Sequence, residues 1–153
     1  MHGYGGVEQL FYEEADEPRL IELNDVIVKL KAAAINHIDI WNRMGATGIV
    51  VPMPHILGAD GAGVVVEVRA KVANVKVGDP VCLYPLTGCG QCKFCLTDRD
   101  FLCFRLRVLG ERMEGAYAQY VKLPAQNCFP IPQDYSFEEA AAFRWCSSRC
   151  GEC

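Results

Sequence analysis

Four cysteines in the middle of the chain carry its clearest chemical signal. Cys89, Cys92 and Cys95 follow one another with two residues between successive thiols, and Cys103 comes after seven more residues. Four thiolates on a folded-back loop are the donor set of a closed, tetrahedral zinc site. Because sulfur would fill every coordination position, the spacing predicts a structural zinc that cross-links the loop and performs no chemistry.

Two other uses of clustered cysteines fit the sequence less well. A bacterial iron–sulfur motif places its fourth cysteine three residues on and follows it with proline, whereas Phe104 follows Cys103 here. Disulfides need an oxidising compartment, and cysteines two residues apart make a poor disulfide framework. Cys82 and Cys128 lie in apolar, strand-like runs, and we interpret them as ordinary buried thiols.

Length and composition narrow the class of protein. The chain has 153 residues, of which 51% are hydrophobic, and a formal net charge of −4, which suits one ordinary domain with its own core. The mild acidity argues against a nucleic-acid partner. The sequence also has no apolar run of membrane-spanning length and no signal peptide at its start. We therefore expect neither nucleic acid nor a membrane as partner.

Short strands separated by Gly and Pro predict the elements that position the cysteine loop. Alternating or β-branched apolar runs predict strands over 26–32, 63–68, 80–84 and 117–123. A short helix is expected over 36–44, with Ile40 and Met44 on one face and Gly45 as its C-cap. Ser136 and Glu139 form a capping-box pattern that starts a second helix. The fold class is therefore mainly β, a barrel or a sandwich with little helix.

Five segments, taken in order, carry a family resemblance. They are residues 33–39, 58–63, 78–81, the cysteine lobe at about 86–108, and residues 115–120. With these segments the chain resembles the N-terminal, GroES-like domain of the medium-chain dehydrogenases/reductases, which include zinc-type alcohol dehydrogenases and quinone reductases. The resemblance implies a GroES-like, partly open β-barrel with short helices and a zinc-binding lobe over residues 1–143. It also implies that the family's Rossmann domain is absent from this chain.

The resemblance further implies a cytoplasmic parent enzyme that transfers hydride between NAD or NADP and a small-molecule substrate. We expect this parent enzyme to be a homodimer or homotetramer. The family's catalytic zinc takes a Cys where this chain has Asn36 and a His where it has Ala59, and Asp60 stands for a Glu. Ala binds no metal and an amide is a poor substitute for thiolate, so we expect no catalytic zinc, as in the quinone-reductase branch. The expected substrate-side residues are Asn36, His37, Asp39, Trp41 and Asp60.

Several of these residues also allow a purely structural interpretation. Asp39 could serve only a helix turn and Asp60 only the loop, through backbone amides. His37 and His55 are weak candidates to replace the lost zinc ligands. The glycines of 58–63 are in the wrong order for a dinucleotide loop, and they precede a strand. A different class, a non-catalytic, zinc-stabilised β-barrel used for binding or assembly, also remains open.

The last ten residues, 144–153, differ in character from the rest. They are polar and contain Cys146, Cys150 and Cys153, which could be taken for a second metal site. Family members continue the preceding helix with Pro-Leu and an apolar stretch ending in Trp. When the tail is translated back into chosen codons and one nucleotide is added before it, the shifted reading frame encodes Pro-Leu-Val-Phe-Leu-Ala-Val-Trp-Arg-Val. We therefore predict that residues 144–153 are an out-of-frame translation of a longer reductase, which would be inactive as this fragment because it lacks a nicotinamide site.

Overall fold

The computed structural model describes residues 1–142 and is mainly β, as the sequence predicts. Five strands form one antiparallel sheet in the order β6-β1-β2-β3-β7, and two short strands form a second sheet, β4-β5. The strands are β1 Asp25–Ala34, β2 Asp60–Val68, β3 Pro80–Leu83, β4 Leu86–Thr87, β5 Arg107–Val108, β6 Tyr120–Pro124 and β7 Cys128–Pro130. The predicted tail at 144–153 lies outside the described residues.

Valines from the central strands form the main core. Val28 of β1 pairs with Val65 on one side and Val121 on the other, and all three are at most 2% exposed. Fully burying such a side chain stabilises a fold by roughly 1.5–3 kcal/mol. The strand expected over 63–68 forms as part of β2, and its β-branched run would suit a fully buried strand. Val66 is nevertheless 37% exposed, whereas Val65 is buried, because successive side chains of a strand point to opposite faces. Val68 packs against the main core.

Helix α1, His37–Met44, begins and ends where its caps predict. Asn36 precedes it in an extended conformation, and Gly45 ends it at a φ of 71°, a left-handed conformation that favours glycine. The buried face, however, carries Asp39 and Asn42, whereas Ile40 and Met44 are 39% and 58% exposed. The expected apolar face is therefore wrong, because this helix packs on backbone polar groups.

Helix α2, Phe137–Ala142, closes one side of the sheet. Its capping box is formed as predicted: the Ser136 N–H donates to the Glu139 carboxylate, and the Glu139 N–H donates to the Ser136 hydroxyl at 3.1 Å. Ala140 and Ala141 pack with Ala62 of β2 in a small core. Among residues 1–142, no helix is long and apolar enough to cross a membrane.

The segment before β1 contains one 3-10 helix, Val7–Gln9, and no strand. Three further 3-10 helices lie at Cys95–Thr97, Asp100–Leu102 and Ala125–Asn127. The first two belong to the cysteine lobe. The two remaining thiols differ in burial, because Cys128 is 2% exposed and Cys82 is half-buried. Only Cys128 therefore matches the interpretation as a buried thiol in full.

Candidate metal centre and substrate-side site

A short sheet and two helical turns gather the four cysteines. Strands β4 and β5 pair at the base of the lobe, with Leu86 opposite Val108. The chain between them makes the turns at Cys95–Thr97 and Asp100–Leu102. Because β4 and β5 hold the two ends of the loop together, cysteines that are up to fourteen residues apart in sequence can meet at one point.

The four sulfur atoms form a compact cluster. Each Sγ of Cys89, Cys92, Cys95 and Cys103 lies within 4.8 Å of the other three. The Cys92 and Cys95 sulfurs are 3.5 Å apart. The Cys103 sulfur accepts hydrogen bonds at 3.4 Å from the N–H groups of Cys89 and Arg105. Such N–H···S contacts orient the ligands and balance the negative charge of thiolates around a metal.

Gly88 shows how tightly the chain wraps the cluster. A Cβ at this position would lie 2.7 Å from the Cys95 sulfur and 2.9 Å from Cβ of Asp100. The absence of a side chain at Gly88 therefore leaves the space that the sulfur occupies. Four converging thiols in a closed cradle fit a structural zinc ion, and within residues 1–142 no other group of three or more His, Cys, Asp or Glu side chains could share a metal.

The thiols of the cluster differ in pKa. A hydrogen bond from the backbone N–H of Gln91 is the main cause that lowers the pKa of Cys89 to about 6. Burial raises the pKa of Cys95 to about 11. Because zinc binds the thiolate form, metal binding would release protons, chiefly from cysteines with a raised pKa.

A polar cavity lies between the start of α1 and the start of β2. Its volume is about 260 Å³, and it is lined by Ala34, Ile35, Asn36, His37, Asp60 and Ala142. The Asn36 side-chain Nδ2 donates to the Asp60 carboxylate at 2.7 Å. Asp60 is only 7% exposed. The structure thus brings three of the predicted substrate-side residues, Asn36, His37 and Asp60, to one cavity.

Asp39 lies beside this cavity but faces the protein. One carboxylate oxygen accepts from the Asn36 N–H at 2.8 Å and from the Tyr117 hydroxyl at 2.8 Å. The other accepts from the Gly58 N–H at 3.1 Å. With both oxygens engaged and the residue 4% exposed, Asp39 can cap α1 and hold the 58–60 loop. This arrangement matches its structural interpretation better than an acid–base one.

Tyr117 donates a hydrogen bond to Asp39, and it is not among the site residues expected from the sequence. Burial, and then its hydrogen bond to Asp39, raise the pKa of the phenol well above its usual range, so Tyr117 stays a hydrogen-bond donor at neutral pH. It follows Gly115 and Ala116, whose N–H groups donate to Ile56 and Gly58 carbonyls at 2.8 and 2.9 Å. The only sequence feature that pointed to Tyr117 was its position in the 115–120 segment, one of the five that carry the family resemblance.

Trp41 lies one helical turn beyond His37. The two rings are 6.0 Å apart and tilted by 40°, and Trp41 is 52% exposed. Trp41 does not line the cavity. The pair instead forms an aromatic edge beside it on the exposed face of α1.

The positions that correspond to a catalytic zinc site lack the donors for one. Asn36 points its amide nitrogen at Asp60, and Ala59, which is 2% exposed, has no ligand atom. His55 is buried elsewhere, with its Nδ1 3.7 Å from Glu114. These residues do not fit a second zinc ion.

Comparison with known proteins agrees with this architecture. The family model of the alcohol dehydrogenase GroES-like domain matches residues 22–133. An alcohol dehydrogenase from Geobacillus stearothermophilus is 35% identical over 130 residues, which cover 84% of this chain and 38% of that protein. An L-threonine 3-dehydrogenase from Shewanella loihica is 33% identical and is covered over 40% of its length.

Solved structures show the same relation. A crystal structure of an NAD-dependent alcohol dehydrogenase superposes with a TM-score of 0.87 at 45% identity, covering 93% of this chain and 41% of that one. A cobalt- and zinc-bound alcohol dehydrogenase from Pyrobaculum aerophilum has a TM-score of 0.82 at 34% identity, with coverage of 93% and 43%. The chain therefore spans about two fifths of these relatives, and it belongs to the alcohol dehydrogenase GroES-like domain family.

Proposed function

We propose that this chain is the substrate-side domain of an NAD(P)-dependent oxidoreductase. The reaction is hydride transfer to or from a carbonyl, enone, quinone or alcohol. A structural zinc held by Cys89, Cys92, Cys95 and Cys103 stabilises the domain, and no zinc takes part in the chemistry. The observation that carries this proposal is the 2.7 Å hydrogen bond between Asn36 and Asp60 at the wall of the polar cavity.

The Asn36–Asp60 pair supports a role in orienting a substrate carbonyl. Because the buried Asp60 carboxylate accepts one N–H of the Asn36 amide, the orientation of that amide is fixed. The side-chain oxygen takes part in the capping box with the Asp39 backbone, so the second N–H is the group that the Asn36 amide offers to a polar group of the substrate. A preorganised amide N–H can stabilise negative charge that develops on a substrate oxygen.

Neighbouring side chains suit a small acceptor molecule. Ile35, which is 81% exposed, offers an apolar wall beside the cavity, and His37 adds a polar edge. A bound nicotinamide would supply the hydride. The residues of this chain bind and orient the other reactant, a contribution of proximity that can lower a barrier by several kcal/mol. No Gly-x-Gly-x-x-Gly sequence occurs in the 153 residues, so we propose that the fragment is inactive alone.

Metal analysis tests the zinc assignment. The purified chain should contain about one zinc ion, and Cys92→Ser should lose it because three thiols cannot close the site. Cys82→Ser is the matched control, since this half-buried cysteine lies outside the cluster, and it should keep the metal. A zinc-free wild-type chain would refute the structural site. A second zinc that disappears on replacing Asp60 or His55 would refute the absence of a catalytic zinc.

The reading frame and the parent enzyme test the catalytic role. We propose that residues 144–153 are out of frame, so the adjacent frame in the DNA should continue into a glycine-rich nucleotide loop. The protein translated from that frame should oxidise NADH or NADPH with enone or quinone acceptors. Asn36→Ala should lower its kcat by roughly a hundredfold if the amide stabilises the developing charge. An immediate stop codon would instead favour the non-catalytic zinc-stabilised barrel.

A further inference from the structure

The outer face of the cysteine lobe is unusually apolar for a surface. Leu96, Phe101, Leu102 and Phe104 lie within nine residues and are 71%, 52%, 45% and 89% exposed. We call these four side chains, with Phe94 and the basic residues beside them, the lobe face. Large exposed patches with polar rims mark interaction sites more often than chance would place them.

Two cations lie against the aromatic centre of the lobe face. Lys93 lies 4.9 Å and Arg99 6.0 Å from the centre of the Phe94 ring, and Phe104 meets the same ring edge-on at 5.8 Å. Residues 86–108 contain four basic and two acidic side chains, and all four basic residues are exposed. The lobe therefore combines exposed apolar side chains with an excess of two positive charges.

The segment before β1 has the opposite charge and equally exposed apolar side chains. Residues 7–24, which we call the acidic segment, contain six acidic residues and one arginine. Tyr12 is fully exposed, Val7 is 73% exposed and Phe11 is 55% exposed. Residues 10–21 belong to no helix, strand or turn, so their backbone can follow the contour of another surface.

We propose that the acidic segment of one copy of this chain docks on the lobe face of a second copy. Both surfaces are exposed in the same protomer, so they do not cover each other within one chain. Their apolar side chains would leave water together, and the carboxylates would meet Lys93, Arg99, Arg105 and Arg107. Two such contacts related by a two-fold axis would form a closed dimer, in which complementary charge sets the register.

Cross-linking between labelled and unlabelled copies tests the contact directly. The full chain, zinc-loaded and kept reduced, is mixed with its nitrogen-15 form and treated with a carbodiimide, which joins lysine amines to nearby carboxylates. We expect mixed-isotope peptides that link Lys93 to Glu13, Glu14, Asp16 or Glu17. Links found only within one isotope form, or links from Lys93 to another region of the second copy, would overturn the proposal.

Sedimentation of variants tests the energetics. Phe104→Ser and the double variant Glu14→Lys/Glu17→Lys change exposed side chains, so each should fold, hold zinc and dimerise at least roughly tenfold more weakly, a loss of about 1.4 kcal/mol. Val50→Ser is the control, since Val50 is 88% exposed and lies outside both surfaces. A wild-type chain that stays monomeric at 100 µM, or either variant dimerising like Val50→Ser, would overturn the proposal.

Discussion

Replacing Asp39 with alanine should show whether this carboxylate is a structural link or an acid–base group. Its oxygens accept from the backbone N–H groups of Asn36 and Gly58 and from the Tyr117 hydroxyl. These three donors belong to the start of α1, the loop before β2 and the segment before β6. Asp39→Ala removes the acceptor that all three share, so we expect a large loss of stability.

The size of that loss follows from where each donor lies. The Gly58 N–H is buried, and a buried donor without an acceptor costs roughly 1–3 kcal/mol. Losing the cap on Asn36 costs about 1 kcal/mol. Tyr117 is 40% exposed, so its hydroxyl can turn to water at little cost. We expect a decrease of about 2–4 kcal/mol in the free energy of unfolding.

Equilibrium unfolding in urea with excess zinc measures this difference. At a typical dependence of about 2 kcal/mol per molar urea, the midpoint should fall by roughly 1–2 M. Asp79→Ala is the control, since Asp79 accepts one exposed N–H, that of Lys76, at 2.9 Å, and it should cost less than about 1 kcal/mol. If Asp39→Ala unfolds within 1 kcal/mol of wild type, or no lower than Asp79→Ala, the structural reading of Asp39 is refuted.

Two other perturbations test the zinc cradle and the buried histidine. Gly88→Ala places a Cβ only 2.7 Å from the Cys95 sulfur, so chelator competition should show zinc bound roughly tenfold more weakly. Gly3→Ala, whose Cβ meets only a flexible side chain, should match wild type, and equal zinc affinities for both variants would contradict the cradle. Burial lowers the pKa of His55 below its usual value, so the neutral ring is favoured in the fold and stability is lost as pH falls below about 6.5. Unfolding at pH 7.5 and 5.5 should therefore show a larger acid loss for wild type than for His55→Asn, and parallel losses would refute this reasoning.

Local signals predicted where both helices begin and where α1 ends, although the strand expected over 117–123 begins only at Tyr120. Gly45 ends α1 and the Ser136–Glu139 capping box starts α2 where the sequence places them. Pro80 begins β3 as expected, at a position where a missing N–H costs no ladder bond. Such features depend on a few adjacent residues, so they can be read without knowledge of the rest of the fold.

The interior face of α1 could not be predicted in the same way. Periodicity favoured Ile40 and Met44 as buried, yet Asp39 and Asn42 are buried instead. Asn42 donates to the Gly110 carbonyl at 3.2 Å, across 68 residues of sequence. Which face of a short helix is buried depends on what the other strands and loops present to it, and here they present backbone N–H and C=O groups.

The same long-range dependence applies at the cavity, whose polar wall combines Asn36 with Asp60, a residue 24 positions later in the sequence. At Asn36 and Asp60, an amide donor meets a carboxylate acceptor at 2.7 Å, which joins the start of α1 directly to the start of β2. A zinc ligand set there would need thiolate and imidazole groups to converge, whereas a buried carboxylate such as Asp60 needs hydrogen-bond donors. The residue types at these two positions are therefore coupled: Asn36 gives the buried Asp60 a hydrogen-bond donor, and Asp60 fixes the orientation of the Asn36 amide.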